Sequence, residues 1–111
     1  MNRDARLGMN EAVFRSVNER IQEVANAFQL TAEPLDLICE CGNASCVERI
    51  SLTPEQYEEL RADSHQFAVA PGHEAPDVET VIARRQGYDI VSKNRGVPEQ
   101  IAEETDPRRG N

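Results

Sequence analysis

The three cysteines constrain this chain more than any other feature. All of them lie between positions 39 and 46, in the segment CECGNASC. An odd number of closely spaced cysteines fits a metal site better than disulfides. Gly42 and Asn43 favour a tight turn around an ion, and Cys39 and Cys41 would point to the same side of an ideal strand. We therefore predict that Cys39, Cys41 and Cys46 bind one metal ion; the alternative is that they are three small buried hydrophobic residues.

The fourth ligand is less constrained, since the chain holds only two histidines. His73 follows Pro71-Gly72, a stiff turn that would fix the direction of its side chain. His65 stands among polar residues, where an exposed histidine is the ordinary expectation. We favour His73 as the ligand, with His65 or a carboxylate as the alternative.

The predicted ligands also indicate which metal is bound. Three thiolates and one imidazole fill the four positions of tetrahedral Zn²⁺, so the site is predicted to be structural rather than catalytic. An iron–sulfur cluster on the same ligands is the competing interpretation. Because the spacing Cys-x-Cys-x4-Cys differs from the usual ferredoxin spacings, we prefer zinc.

Size, composition and charge are consistent with this prediction. A chain of 111 residues with no Trp and 5% aromatic residues has few large side chains for a core, and small domains of this kind often need a metal. The net charge of −8 lies beyond residue 30, because the first 30 residues hold four basic and four acidic groups. The lack of a basic patch argues against nucleic-acid binding, and acidic surfaces disfavour anionic membranes. The N-terminus lacks the apolar run of a signal peptide or membrane span, so we expect a cytoplasmic protein with reduced thiols.

A long amphipathic helix is predicted for residues 10–30, after a flexible N-terminus of residues 1–9. Its apolar residues recur at spacings of three and four and share one side of the helix, the apolar stripe. The stripe consists of Phe14, Val17, Ile21, Val24 and Phe28. It can pack on the domain's own core, as most such stripes do. The other interpretation is that it binds a protein partner or a second copy of the chain.

Residues 31–95 are predicted to form a small zinc-binding α+β domain. Alternating apolar residues at 35–39 and the run Val47–Leu52 indicate a hairpin whose loop carries the metal ligands. Thr53 is a good helix N-cap, Pro54 suits the first helical position, and Gln56 completes a capping box. A short helix should therefore run from residue 54 to about residue 63.

Further along the chain, residues 67–69 are predicted to be extended and to lead into the Pro-Gly-His turn. The runs Val78–Arg84 and Tyr88–Val91 flank Gln86-Gly87 and indicate a second hairpin, with a helix over residues 76–85 as the alternative. Residues 96–111 hold few apolar side chains and are predicted to form a disordered acidic tail. The expected fold is thus α+β: one small metal-stabilised domain with a long N-terminal helix, short antiparallel strands and one short helix.

Several segments occur together in a specific pattern: the cysteine cluster, LTPEQY at residues 52–57, RAD at 61–63 and VAPGH at 69–73. In these segments the chain resembles a family of small uncharacterised bacterial proteins, common in actinobacteria. The resemblance extends from about residue 14 to residue 107. It implies metal binding at Cys39, Cys41, Cys46 and His73, and it implies no particular activity.

Three classes of function are compatible with these features. The closed metal site, the acidic body and the charge-balanced striped helix favour a protein-interaction or regulatory module. A thiol-based redox sensor is the alternative, because thiolates in a zinc site can be oxidised with release of the metal. A metal-dependent enzyme is less favoured, since few Ser, His or Cys side chains remain to form a nucleophile and its base.

Overall fold

The computed structural model describes residues 2–29 and 33–109, and within these ranges the chain forms three helices and five strands. The helices are α1 (Arg3–Ala27), α2 (Pro54–Arg61) and α3 (Val97–Glu104). The strands are β1 (Leu35–Ile38), β2 (Arg49–Leu52), β3 (Gln66–Val69), β4 (Glu79–Arg85) and β5 (Tyr88–Lys93). Parts of the predicted N-terminus, first helix, domain start and tail fall on residues 1, 30–32 and 110–111, which lie outside the described residues.

The strands form two antiparallel sheets, which confirms the predicted α+β class. β1 pairs with β2, with Leu35 opposite Leu52. In the second sheet β5 lies between β3 and β4. Both predicted hairpins are therefore present. The alternative of a helix over residues 76–85 is wrong, because Val81 and its neighbours pair with β5 across a register shift at Ala83.

The helix α2 begins as the sequence predicts. The Thr53 hydroxyl accepts a hydrogen bond from the Gln56 N–H at 3.1 Å, and the Gln56 side chain accepts one from the Thr53 N–H at 2.8 Å. This reciprocal capping satisfies backbone donors that a helix start otherwise leaves free. The helix then turns Tyr57 and Leu60 into the core.

One hydrophobic core joins both sheets and α2. Its most deeply buried large side chains are each at most 2% exposed: Leu37, Leu52, Tyr57, Leu60, Phe67, Val69 and Val91. Cys39 and Cys41 belong to the same cluster. The predicted metal ligands therefore continue directly from the core, so loss of the site would affect the packing of the whole domain.

The helix α1 packs on the domain mainly through polar residues. Its buried side consists of Gly8, Glu11, Ala12, Arg15, Asn18, Glu19, Gln22 and Ala25. The apolar stripe lies largely on the opposite side, with Val17, Val24 and Phe28 exposed by 42%, 50% and 72%. Phe14 and Ile21 are half-buried. The prediction that the stripe packs on the domain's own core is thus confirmed for Ile21, which contacts the core. It is wrong for Val17, Val24 and Phe28, which are exposed.

Arg15 shows how a charged residue can lie inside this interface. Its guanidinium is fully buried and donates to the carbonyls of Ser64 and Ala102, both at 2.8 Å. It also stacks over the ring of Phe67, 4.4 Å from the ring centre. Burying a charge is costly unless it is paired and hydrogen-bonded. Since these partners are distant in sequence, the periodicity of α1 could not show which face is inside.

The chain is more ordered at both ends than the sequence predicts. The flexible N-terminus predicted for residues 1–9 is wrong from Arg3 onward, where α1 already begins, capped by the Asn2 side chain. The disordered tail predicted for residues 96–111 is wrong for α3, whose Ile101 side chain packs against Gly8. Arg108 follows α3 and donates to Glu58 at 2.8 Å. Few apolar residues suffice to order α3, because α1 provides the surface on which it packs.

Candidate metal centre

Cys39, Cys41, Cys46 and His73 converge on one point. One ligand atom from each lies within 4.8 Å of the others. The first two cysteines are buried just beyond β1, Cys46 is half-buried in the loop before β2, and His73 is partly exposed in the loop after β3. The structure thus brings two separate segments together, and the four residues lie close enough to hold a metal ion.

The distances within this group fit tetrahedral coordination. His73 Nδ1 lies 3.6 Å from Cys39 Sγ and 3.6 Å from Cys46 Sγ. A tetrahedron with metal–sulfur bonds of about 2.3 Å and metal–nitrogen bonds of about 2.05 Å separates sulfur from nitrogen by about 3.6 Å. The spacing and the donor chemistry are therefore compatible with zinc.

A tight turn directs His73 toward the cysteines. The His73 N–H donates to the Ala70 carbonyl at 3.0 Å, and Gly72 has a φ of +83°. Pro71 at the second position and a glycine with positive φ at the third are typical of a type II turn. Because this turn is already formed, the backbone of His73 would lose little conformational freedom when a metal ion binds.

The environment of the sulfur atoms sets their protonation. The Ala70 N–H donates to Cys39 Sγ at 3.1 Å. The hydrogen bond between Cys39 and Cys41 lowers the pKa of Cys41, and the same bond together with burial raises the pKa of Cys39. Burial also raises the pKa of Cys46. A metal binds thiolates, so its binding would displace the protons of Cys39 and Cys46, and its affinity should rise with pH.

Glu40, which stands between two of the cysteines, supports the site although it is not among the residues predicted from the sequence. It is completely buried. Its N–H donates to the Ala68 carbonyl at 2.9 Å, and its carboxylate accepts from the Ala68 N–H at 3.0 Å and from Asn18 at 2.8 Å. Burial raises the pKa of Glu40. Because it binds β3 on one side and α1 on the other, Glu40 holds in place the backbone that carries Cys39 and Cys41.

The helix α1 also contacts the loop that carries the ligands. Asn10 donates to the Gly42 carbonyl at 2.8 Å, and Asn18 forms two hydrogen bonds with the backbone of Ile38, at 2.8 and 2.9 Å. A Cβ at Gly42 would lie 2.7 Å from the Leu7 side chain, so only glycine lets the loop approach the helix this closely. Two polar residues of α1, Asn10 and Asn18, therefore hold in place the backbone on either side of Cys39 and Cys41.

His65, the other histidine, lies in a different part of the domain. Its Nε2 atom is 2.7 Å from a carboxylate oxygen of Glu103, and its Nδ1 atom is 3.6 Å from oxygens of Asp63 and Glu99. The contacts with Glu99 and Glu103 connect the segment between α2 and β3 to α3. The structure therefore places His73, and not His65, beside the cysteines, in agreement with the preference drawn from the Pro-Gly-His turn.

The described part of the chain, residues 2–29 and 33–109, contains no helix long and apolar enough to cross a membrane. No family model, curated protein or solved structure matches this chain. The proposed function therefore rests on the geometry of the site and on the exposed surfaces.

Proposed function

We propose that this chain is a small protein-interaction module whose fold is stabilised by a structural Zn²⁺ ion bound to Cys39, Cys41, Cys46 and His73. The convergence of these four ligand atoms within 4.8 Å is the observation that carries the proposal. Four protein ligands leave a tetrahedral ion no position for water, which is typical of structural rather than catalytic zinc. A metal-dependent enzyme is therefore the less favoured function.

The compactness of the ligand group supports a single ion over a cluster. Ligand atoms within 4.8 Å of one another fit around one ion, whereas an iron–sulfur cluster separates the ligands of its different irons. Thiolate and imidazole ligands also suit zinc. A reducing compartment such as the cytoplasm agrees with three free cysteines.

The interaction role is supported by α1. Its polar side is occupied by the domain, while the exposed residues of the apolar stripe face outward. Contiguous apolar surface with a polar border often marks a protein-binding site. The resemblance to the actinobacterial family remains a prediction, and it implies no particular activity for this chain.

Elemental analysis of protein purified without added metal tests the zinc site. We expect one zinc per chain, and its loss from both Cys41→Ser and His73→Ala. His65→Ala is the matched control, because it removes the other histidine and should keep the metal. Zinc retained by His73→Ala, zinc lost from His65→Ala, or iron in place of zinc would contradict the assignment.

Removal of the metal tests the structural role. Because zinc binding is coupled to folding in small domains, it stabilises the folded state by about 10 kcal/mol or more. Chelation should therefore remove most of the helical circular-dichroism signal, and added Zn²⁺ should restore it. A spectrum that does not change after complete removal of zinc would refute the structural role.

A thiol-based sensor at the same site is the second candidate function. Cys46 is half-buried, and a cavity of about 350 Å³ borders Cys41 and His73, so a small oxidant can approach the site. Two thiolates would give two electrons to a peroxide, which takes up two protons and is reduced to water, and the resulting disulfide would release zinc. Stoichiometric zinc release on treatment with mild peroxide would support this function, and retention of the metal would contradict it.

A further inference from the structure

The start of α1 lies against one side of the candidate metal centre. Leu7 borders the cavity of about 350 Å³ that Cys41 and His73 also line. A Cβ at Gly42, the residue after Cys41, would lie 2.7 Å from the Leu7 side chain, so the helix packs directly on the loop between two ligands. We propose that residues 3–10 form a cover, the α1 cover, that limits how fast the metal centre releases its ion. This inference rests on the zinc site proposed above.

The α1 cover contacts both segments that supply ligands. In the cysteine loop, the Asn10 side chain donates to the Gly42 carbonyl at 2.8 Å. At the other segment, Arg3 forms an ion pair with Asp77, which follows His73 in the chain. Both side chains of this ion pair are about half exposed, so the pair contributes little energy. The contacts with Gly42 therefore supply most of the energy that holds the cover on the site.

The cover lies next to the more deeply buried pair of ligands. Cys39 and Cys41 are 1% and 2% exposed, whereas Cys46 is half-buried and His73 is partly exposed. A competing ligand from solution therefore reaches Cys46 and His73 first, and the ion stays bound to the buried pair until the backbone that carries it moves. Hydrogen bonds from α1 hold this backbone on both sides, and the one at Gly42 comes from the cover. Complete release should therefore be faster when the cover opens.

The cover is also the part of α1 that opens most easily. Among residues 3–10, all of which the structure describes, Gly8 alone is buried. In the following turns, Glu11, Arg15 and Asn18 are fully buried. Glycine is less favourable than alanine inside a helix, and helix ends open locally at a lower free energy than the core. Opening of the cover therefore does not require unfolding of the whole domain.

Transfer of zinc from the loaded full chain to an excess of a chromogenic chelator measures the rate of release. Leu7→Ala and Asn10→Ala should each release zinc about three- to tenfold faster than the wild type, because each removes one contact between the cover and the loop. The matched controls are Met9→Ala, since Met9 is 41% exposed, and Asn26→Ala, at an exposed position of the same helix. Both controls should release zinc at the wild-type rate. Wild-type rates in Leu7→Ala and Asn10→Ala would overturn the proposal.

A general loss of stability is the alternative explanation for faster release, and Thr53→Ala tests it. Thr53 caps α2 and lies outside the cover, so its replacement should destabilise the domain without opening the cover. Urea unfolding gives the loss of stability in each variant. We expect Thr53→Ala to release zinc at close to the wild-type rate. If it releases zinc as fast as Leu7→Ala at an equal loss of stability, release follows global unfolding and the cover has no role.

Hydrogen exchange of the zinc-loaded chain locates the opening. Peptides that contain residues 3–10 should exchange faster in Leu7→Ala than in the wild type, while peptides from α2 and β5 should not change. Unchanged exchange of residues 3–10 would contradict local opening of the cover. The metal content separates this inference from the proposed function. A chain without zinc refutes the zinc site, whereas a chain with one zinc whose release is the same in all the cover variants refutes only the role of the cover.

Discussion

Replacing Glu11 by glutamine should remove much of the pH dependence of this protein's stability. Glu11 is fully buried, and its Oε1 atom lies 2.5 Å from Lys93 Nζ, which also contacts Glu79 at 2.9 Å. One ammonium group thus faces two buried carboxyl groups. Burial, reinforced by Glu79, raises the pKa of Glu11 from 4.5 to about 9, although Lys93 acts in the opposite direction. The folded protein therefore holds a proton on Glu11 that the unfolded chain releases.

The magnitude follows from this difference in pKa. Between pH 4.5 and about 9 the folded state binds one proton more than the unfolded state. The free energy of unfolding then falls with rising pH by about 1.4 kcal/mol per pH unit, or roughly 2.7 kcal/mol from pH 6 to pH 8. The stabilisation is complete below the unfolded pKa and is lost as the pH rises through the folded one. Glutamine has no proton to release, so Glu11→Gln should lack this contribution.

Urea unfolding of zinc-loaded protein at pH 6, 7 and 8 measures the effect. Relative to the wild type, the free energy of unfolding of Glu11→Gln should increase by about 1.4 kcal/mol with each pH unit. Comparison with the wild type cancels the titration of the metal ligands, which both proteins share. Glu59→Gln, at an exposed position, should keep the wild-type pH dependence. Equal pH dependence of Glu11→Gln and the wild type would refute the reasoning.

Three further substitutions, the last with a control variant, test the fold and the site. Leu37→Ala removes a side chain that is 0% exposed. In urea titrations it should lower the free energy of unfolding by about 2–5 kcal/mol, and a loss under about 1 kcal/mol would contradict its place in the core. Thr53→Ala removes the capping box of α2 and should lower that free energy by about 0.5–2 kcal/mol, while no change would show that the cap contributes nothing. Gly72→Ala places a side chain at a φ of +83° and strains the turn, so it should weaken zinc binding, as measured by competition with a chromogenic chelator. Gly87→Ala, which creates the same strain at a φ of +87° but lies away from the site, should leave zinc binding unchanged. Equal zinc affinity of the two glycine variants would argue against the role of the turn in directing His73.

Local features of the sequence predicted much of the molecule. The capping box at Thr53, both hairpins and the α+β class are confirmed by the structure. The cysteine cluster and the Pro-Gly-His turn pointed to the four residues that converge. These features could be predicted because each depends on residues close together in the chain. A helix cap involves residues three positions apart, a turn spans four residues, and a strand is indicated by alternating side chains.

Which side of α1 faces the domain could be seen only in the folded protein. Periodicity identified the apolar stripe, but it could not show that distant partners such as Ser64 and Ala102 would satisfy a buried Arg15. In the same way, α3 is ordered by its contact with α1, and Glu40 holds the backbone that carries Cys39 and Cys41 through hydrogen bonds to β3 and α1. Local sequence patterns thus predicted α2, both hairpins and the four residues that could hold a metal. Polar groups can be buried only where the folded chain brings partners to them. The polar side of α1 finds such partners in the domain, and the exposed residues of the apolar stripe therefore face outward.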